Sequence, residues 1–350
     1  KELPIDGYGH GGVLTYWRQG RSLPYGDSSA YGAFAQHVKQ VAHIFDNDGV
    51  DVARTKLADA VGSGSAPELI ESLALLLGFE PARPVDREGL FFAARQFVEL
   101  AAREQPTLLV FEDIHWADPS LLDLIEVLGG RAEDAPLLIL TLARPELFTN
   151  RPSWGGGLVS ATALPLEPLG AAEATKLAAE LLADRLGEDF AHRLAETAEG
   201  NPLFIEELAA VMAERSARDM EGLPTTIRSL LEARLDALEP DERAIILDAA
   251  VVGKVFWRGV LERLQRQSVG LSELLGSLEA RGLIRREAVS RIDGDQQYSF
   301  KHGLIRQVAY ASVPRARRRE RHGAVARFLE ERTTETGESA ATLAFHWREA

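Results

Sequence analysis

Two short runs in this chain are apolar at almost every position, Leu108-Leu109-Val110-Phe111 and Leu137-Leu138-Ile139-Leu140-Thr141-Leu142. Such runs predict parallel strands, the first buried on both faces. Between them an amphipathic segment extends to Leu128 and a polar loop covers Gly129 to Asp134. Strand, helix and strand at this spacing form a βαβ unit with neighbouring parallel strands. Upstream, Val13 to Arg18 predicts another strand, and a Pro24-Tyr25-Gly26 turn leads to a helix carrying Phe34, Val38, Val41 and Phe45. Helices are predicted around Val52 to Val61, over Leu69 to Leu77 and over Leu90 to Arg103, the last broken by Pro106. Residues 150–160 read as loop and Leu164-Pro165-Leu166 as a short last strand leaving the sheet.

From Ala171 the pattern turns helical. Leu177, Leu181, Leu182 and Leu186 line one face, and a helix over Phe190 to Ala198 ends at Gly200. Gly200 suits a left-handed cap and Pro202 the start of the next helix, Leu203 to Arg215, a role that needs no ligand. Thr225 or Thr226 caps a helix through Ile227, Leu230, Leu231 and Leu238, and another covers Glu239 to Val252. Leu271, Leu274, Leu275 and Leu278 fall at i, i+3, i+4 and i+7, with Gly282 as the stop. Leu283 to Arg286 and Gln297 to Phe300 then flank Asp293-Gly294, a hairpin-turn pair. Three helices followed by a hairpin give the order of a winged helix. A further helix follows Phe300, and Val325 to Ala350 is helical and amphipathic, stopping in mid-pattern as if helices continue.

The length of 350 residues leaves room for two or three domains. The formal net charge of −14 argues against broad phosphate-backbone binding, which needs positive charge. One basic cluster, Arg315, Arg317, Arg318, Arg319 and Arg321, reads as a solvated helix face in preference to a nucleic-acid patch. With no cysteine, disulfide and thiolate chemistry are excluded. No membrane span or signal peptide is legible, so a cytoplasmic protein is expected. Residue 1 is Lys, which places the expected start upstream.

The candidate chemistry lies at the ends of the two apolar runs. Glu112 and Asp113 follow the first, and carboxylates at the C-terminal end of a parallel strand occupy the crevice where open α/β sheets bind ligands. Such a pair suits a hard cation such as Mg²⁺ and a water to be activated. The alternative is a polar loop after a core strand with Asp118 as a helix cap. Arg144 follows the second run and emerges on the same edge, as a cation for a terminal phosphate or as an exposed surface arginine. The Gly-rich residues 1–12 read as linker. They lack the Gly-x-x-x-x-Gly-Lys-Ser/Thr of a phosphate loop, and no Gly-Lys-Ser/Thr occurs elsewhere.

Six stretches in order then carry a resemblance: GRSLPYGDSSAY (Gly20 to Tyr31), LLVFEDIHWADPSLLDL (Leu108 to Leu124), LLILTLARPE (Leu137 to Glu146), GNPLFIEEL (Gly200 to Leu208), LPTTIRSLLEARLDAL (Leu223 to Leu238) and YSFKHGLIRQVAY (Tyr298 to Tyr310). The chain resembles the signal-transduction ATPases with numerous domains, AAA-type P-loop NTPases, and within them the subgroup of bacterial adenylate/guanylate cyclase-like proteins and LuxR-type regulators. The resemblance implies an α/β P-loop NTPase core with a partial parallel sheet over residues 1–168. An all-α lid (169–222), a winged-helix domain (223–314) and the start of a helical repeat region (315–350) follow. It implies ATP/ADP and Mg²⁺ as ligands, clamped between core, lid and winged helix in a regulatory switch.

By the same resemblance Glu112 and Asp113 look like the Walker B pair, Asp113 positioning the attacking water, and Arg144 like the sensor arginine. Pro202, with Asn201 beside it, resembles the lid proline against adenine, and His302 the winged-helix histidine on the phosphates. The implied partners are nucleotide and other domains of the same polypeptide: a cyclase or DNA-binding output and C-terminal helical repeats. Nucleic acid and membrane are not expected partners of this segment. The family's Walker A loop and its strand are missing, so the chain is expected to be a piece of a longer protein. Slow ATP hydrolysis belongs to the full-length protein, while the piece alone is expected to be inactive. The competing readings are a winged-helix DNA-binding regulator and a scaffold that has lost nucleotide binding.

Overall fold

The computed structural model describes residues 16–22, 30–62, 66–80, 85–131, 135–182, 187–215, 226–265, 270–333 and 337–350. The linker over residues 1–12, the Pro24-Tyr25-Gly26 turn, Leu186 and Leu223-Pro224-Thr225 lie outside them. The chain forms two compact units, Lys1–Thr162 with Ala288–Asp295 and Val325–Ala350, and Ala163–Glu287 with Gln296–Ala324.

In the first unit β1 (Tyr16–Arg21) is followed by α1 (Gly32–Ala42), α2 (Val50–Val61), α3 (Pro67–Leu76) and α4 (Arg87–Glu104). Then come β2 (Thr107–Glu112), a 3₁₀ turn over Ile114–Trp116, α5 (Pro119–Arg131), β3 (Leu137–Thr141) and α6 (Glu146–Asn150). The sheet has the order β1-β2-β3 and is parallel throughout, with Arg21 opposite Glu112 and Phe111 opposite Thr141. Leu109, Val110 and Phe111 are buried, so β2 is the covered central strand that its unbroken apolar run predicts. Each such side chain contributes about 1.5–3 kcal/mol by leaving water. β1 approaches α1 at Gly20, where a Cβ would fall 2.0 Å from the Ala33 carbonyl oxygen. Only glycine permits that backbone contact.

The helix limits follow local chemistry. Left-handed His43 ends α1 before Phe45, the Asp86 carboxylate caps α4 by accepting from Gly89 N–H, and Asp118 caps α5 through Ser120 N–H. The helix α5 runs through Gly129 and Gly130, which were expected in a loop. Cβ atoms there would stand 3.3 and 3.1 Å from Leu158, so the glycines make room for that side chain. β3 differs from β2. Leu137 and Ile139 pack on the core, but Leu138, Leu140 and Leu142 are 64%, 42% and 42% exposed. Leu164-Pro165-Leu166 is not a strand. Pro165 and Pro168 lack ladder N–H groups, and Leu164 and Leu166 stand in solvent. In the same unit buried Asp46 pairs with Lys39 at 2.7 Å and Arg291 at 3.0 Å.

The second unit begins with α7 (Ala171–Leu181), α8 (Glu188–Thr197) and α9 (Pro202–Arg215), joined by a core including Ala174, Ala178, Leu194, Ile205 and Leu208. Alanines form the buried stripe of α7, while Leu181, expected on that face, is 43% exposed. Next come α10 (Ile227–Asp236), capped by Thr226, and α11 (Pro240–Val252), opened by a Glu239/Glu242 capping box. β4 (Val255–Trp257), α12 (Arg258–Gln265), α13 (Leu271–Ala280), β5 (Ile284–Arg286), β6 (Gln297–Phe300) and α14 (Gly303–Ser312) complete it. The expected hairpin is present as antiparallel β5 and β6, with Gly294 left-handed, and β4 adds a third strand in the order β4-β6-β5. The chain continues through α15 (Arg315–Arg332) and α16 (Gly337–Glu349).

The arginine cluster is largely committed to the protein itself. Arg321 and Arg317 lie 3.0 and 3.6 Å from buried Asp248, and Arg318 donates to the Val313 and Ala311 carbonyls. Among the described residues no helix is long and apolar enough to cross a membrane.

Candidate functional site

The parallel register brings three chemistry-bearing segments to one edge of the β1-β2-β3 sheet. β2 ends in Glu112, and the next residue, Asp113, takes a left-handed conformation at φ 56°. Aspartate tolerates that region better than most residues. The turn beyond is tied to β3: Leu142 N–H donates to the Phe111 carbonyl at 2.8 Å and Ile114 N–H to the Leu142 carbonyl at 3.1 Å. Ile114 is fully buried, which fixes the turn on the core. Both acids remain partly accessible, with side chains 21% and 22% exposed.

Arg21 enters from the end of β1. Its Nε donates to Asp113 Oδ2 at 2.6 Å, a second guanidinium nitrogen reaches the same carboxylate, and Nη1 lies 3.6 Å from Glu112 Oε2. Gln36 grips the Arg21 backbone twice, accepting from its N–H at 3.0 Å and donating to its carbonyl at 3.1 Å. Arg21 lies in the GRSLPYGDSSAY stretch, three residues past the strand expected over Val13 to Arg18. β1 instead extends to Arg21, and its register sets Arg21 opposite Glu112.

Arg144 is exposed on the same edge, beyond β3. Its backbone N–H donates to His115 Nδ1 at 3.4 Å, and its guanidinium carbon stands 5.6 Å from the Trp116 ring centre. His115 and Trp116 are in ring contact at 4.4 Å and connect the arginine to the acid-bearing turn. Burial, helped by the Arg144 charge and opposed by Asp113, holds the His115 pKa below its ordinary value. Behind β2, His37 packs edge-on against Phe111, and burial first, then Arg18, lowers its pKa to about 3.

The remaining predicted residues belong to the second unit. Glu199 and Gly200 are both left-handed, and a Cβ on Gly200 would meet the Leu169 carbonyl oxygen at 2.3 Å. Asn201 Oδ1 accepts from Phe204 N–H at 3.3 Å, so its side chain caps α9, and Pro202 occupies the first turn with its ring exposed. The following Glu206 accepts from Lys301 Nζ at 3.0 Å and lies 3.6 Å from His302 Nε2. Burial first, then the Lys301 charge, lowers the half-buried His302. Glu207 forms a fully buried ion pair with Arg234, which also donates to the Arg281 carbonyl at 2.7 Å. The fold thus joins the Gly-Asn-Pro helix to the Lys-His turn inside one unit, while Glu112, Asp113 and Arg144 lie in the other.

Among the described residues no three His, Asp or Glu converge as a metal cage. Two carboxylates fit an ion that keeps several waters and takes its remaining ligands from phosphates, which is how Mg²⁺ is usually bound with nucleotides.

Residues 10–140 match the family model described as AAA ATPase domain. Over 325 residues the chain is 26% identical to an uncharacterised protein of Rhizobium meliloti (strain 1021), covering 86% of this chain and 29% of that protein. The chain therefore spans under a third of the curated relative it matches. A signal transduction ATPase with numerous domains carrying a tetratricopeptide repeat sensor, from Pyrococcus horikoshii, is similar with a TM-score of 0.53 and 15% identity, over 92% of this chain and 40% of that one. At that identity the likeness is one of fold. The family match thus bears on residues 10–140, as an ATPase domain of the AAA type.

Proposed function

We propose that the chain is a nucleotide-dependent regulatory module of a larger signalling protein, adenylate cyclase-like or LuxR-type, that takes ATP/ADP and Mg²⁺. The observation that carries this reading is the parallel register that sets Glu112 and Asp113 beside Arg144 at one sheet edge. Glu112 and Asp113 would hold a hydrated Mg²⁺, which would supply neutralisation of phosphate charge, and Asp113 would orient the attacking water. Arg144 supplies a fixed positive charge for the terminal phosphate.

The proposed organisation is an NTPase core over 1–168, a helical lid over 169–222, a winged helix over 223–314 and the start of a helical region over 315–350. Helices α10, α11 and α13 with the β4-β6-β5 sheet support the winged helix. Pro202, Asn201 and His302 are the proposed nucleotide contacts of the second unit. β3, the outer strand of the order β1-β2-β3 among the described residues, is the proposed place for a further parallel strand bearing the phosphate-binding loop. The DNA-binding reading draws little support from the arginine cluster, since Arg317 and Arg321 pair with Asp248 and Arg318 binds backbone carbonyls.

Calorimetry with Mg-ATP and Mg-ADP tests the proposal, on this chain and on a form extended upstream through a Gly-Lys-Ser/Thr loop. Weak or no binding by the chain and clear binding by the extended form are expected. Failure of both overturns the reading.

A further inference from the structure

The acid pair does not face solvent alone. Arg21 reaches both carboxylates through three guanidinium nitrogens, and Gln36 fixes the backbone from which it extends. All three ionic side chains are 21–25% exposed. Ion pairs this accessible add little to stability, because solvent screens them and ordering long side chains costs entropy. The charge of Arg21 has a larger consequence for the acids themselves. A guanidinium donating to Asp113 occupies the lone pairs that a cation's waters would use, and its positive charge repels an incoming divalent ion. We infer that Arg21 is a resident counter-ion that competes with the divalent cation for Glu112 and Asp113, and so sets the cation affinity of the site.

This inference rests on the acid pair being a metal site, as proposed above. It makes Arg21 a positioning residue. With the cation in place, the released guanidinium, anchored at the end of β1, stands free on the same edge as Arg144, where it carries charge suited to a phosphate oxygen. Lysine at this position would keep the positive charge but lose the fork that spans Asp113 and Glu112.

The test is Mn²⁺ binding to the whole chain at pH 7.5, read from the electron paramagnetic resonance signal of free Mn²⁺. Wild type is compared with Arg21→Gln, Arg21→Lys, Asp113→Asn and the Arg21→Gln/Asp113→Asn pair, each first checked for an unchanged circular dichroism spectrum. Arg21→Gln should bind Mn²⁺ about tenfold tighter than wild type, since a neighbouring positive charge is removed. Arg21→Lys should stay within about threefold of wild type, and the gain should vanish with Asp113→Asn. Equal affinity of wild type and Arg21→Gln, with Asp113→Asn still weakening both, would overturn the role of Arg21 and leave the metal site standing. Failure of both Arg21→Gln and wild type to bind Mn²⁺ at millimolar concentration would overturn the metal site and the inference with it. If Arg21→Gln does not fold, Arg21→Lys binding more than tenfold tighter than wild type contradicts the charge argument.

Discussion

The Glu207–Arg234 pair offers a sharp test of how the second unit is held together. Both side chains are 3% exposed, and Arg234 also donates to the Arg281 carbonyl at 2.7 Å, so one guanidinium joins α9, α10 and the end of α13. Glu207→Gln removes the countercharge that faces the buried Arg234. Breaking a buried pair from one side costs about 3–5 kcal/mol. An exposed helical pair on α10, Arg228–Glu232 with side chains 62% and 47% exposed, is the control, and Glu232→Gln there should cost about 0.3–0.5 kcal/mol. Hydrogen exchange of α9 and α10 amides is the suitable assay, because a chain of two compact units need not unfold in one step. The expected result is a large loss of protection in both helices with Glu207→Gln and a change of about twofold at most with Glu232→Gln. Replacing both partners, Glu207→Leu with Arg234→Met, should recover most of the loss, since no unpaired charge remains. Equal, small effects of Glu207→Gln and Glu232→Gln would refute the argument that desolvation governs this contact.

Three further outcomes follow from particular contacts. Gly20→Ala should lower stability by about 3 kcal/mol or more, because its Cβ meets a backbone oxygen that cannot rotate away; an unchanged thermal midpoint would contradict this. His37 is neutral when folded, with its pKa near 3 against 6.5 unfolded, so the unfolded chain binds the extra proton between those values. Its contribution is therefore lost as pH falls below about 6.5, at roughly 1.4 kcal/mol per pH unit. Denaturant unfolding at pH 7 and pH 4.5 should show a smaller drop for His37→Gln than for wild type, and equal drops would count against the assignment. Random duplex DNA should give no gel shift even at low salt, while Arg321→Ala should lower stability through Asp248; a salt-sensitive shift would reopen the DNA-binding reading.

Much of this was legible in sequence where one local rule acted alone. The all-apolar run ending at Phe111 gave a central strand, and the βαβ spacing gave its parallel neighbour. Capping by Asp118 and Thr226, and the left-handed Gly200, were readable because each concerns a single turn. What was misread depended on longer-range packing. The burial of alanines in place of Leu181 on α7 is decided by α8 and α9, and Leu164-Pro165-Leu166 has strand-like hydropathy but no N–H at the prolines. Helix α6 has only five residues and no apolar period, and β4 is a three-residue strand completed by β6. In the site, Glu112, Asp113 and Arg144 could be placed on one edge from strand order. Arg21 could not, since its opposition to Glu112 depends on the β1–β2 register between strands far apart in sequence.

The central claim is that Glu112 and Asp113 carry the metal-dependent part of nucleotide binding. Its most direct test is the Mg²⁺ dependence of the ADP dissociation constant in the upstream-extended protein, wild type against Glu112→Gln/Asp113→Asn. The account predicts that adding Mg²⁺ in place of a chelator tightens ADP binding about tenfold or more in wild type and changes nothing in the variant. An equal Mg²⁺ effect in both proteins, or none in wild type, would contradict it.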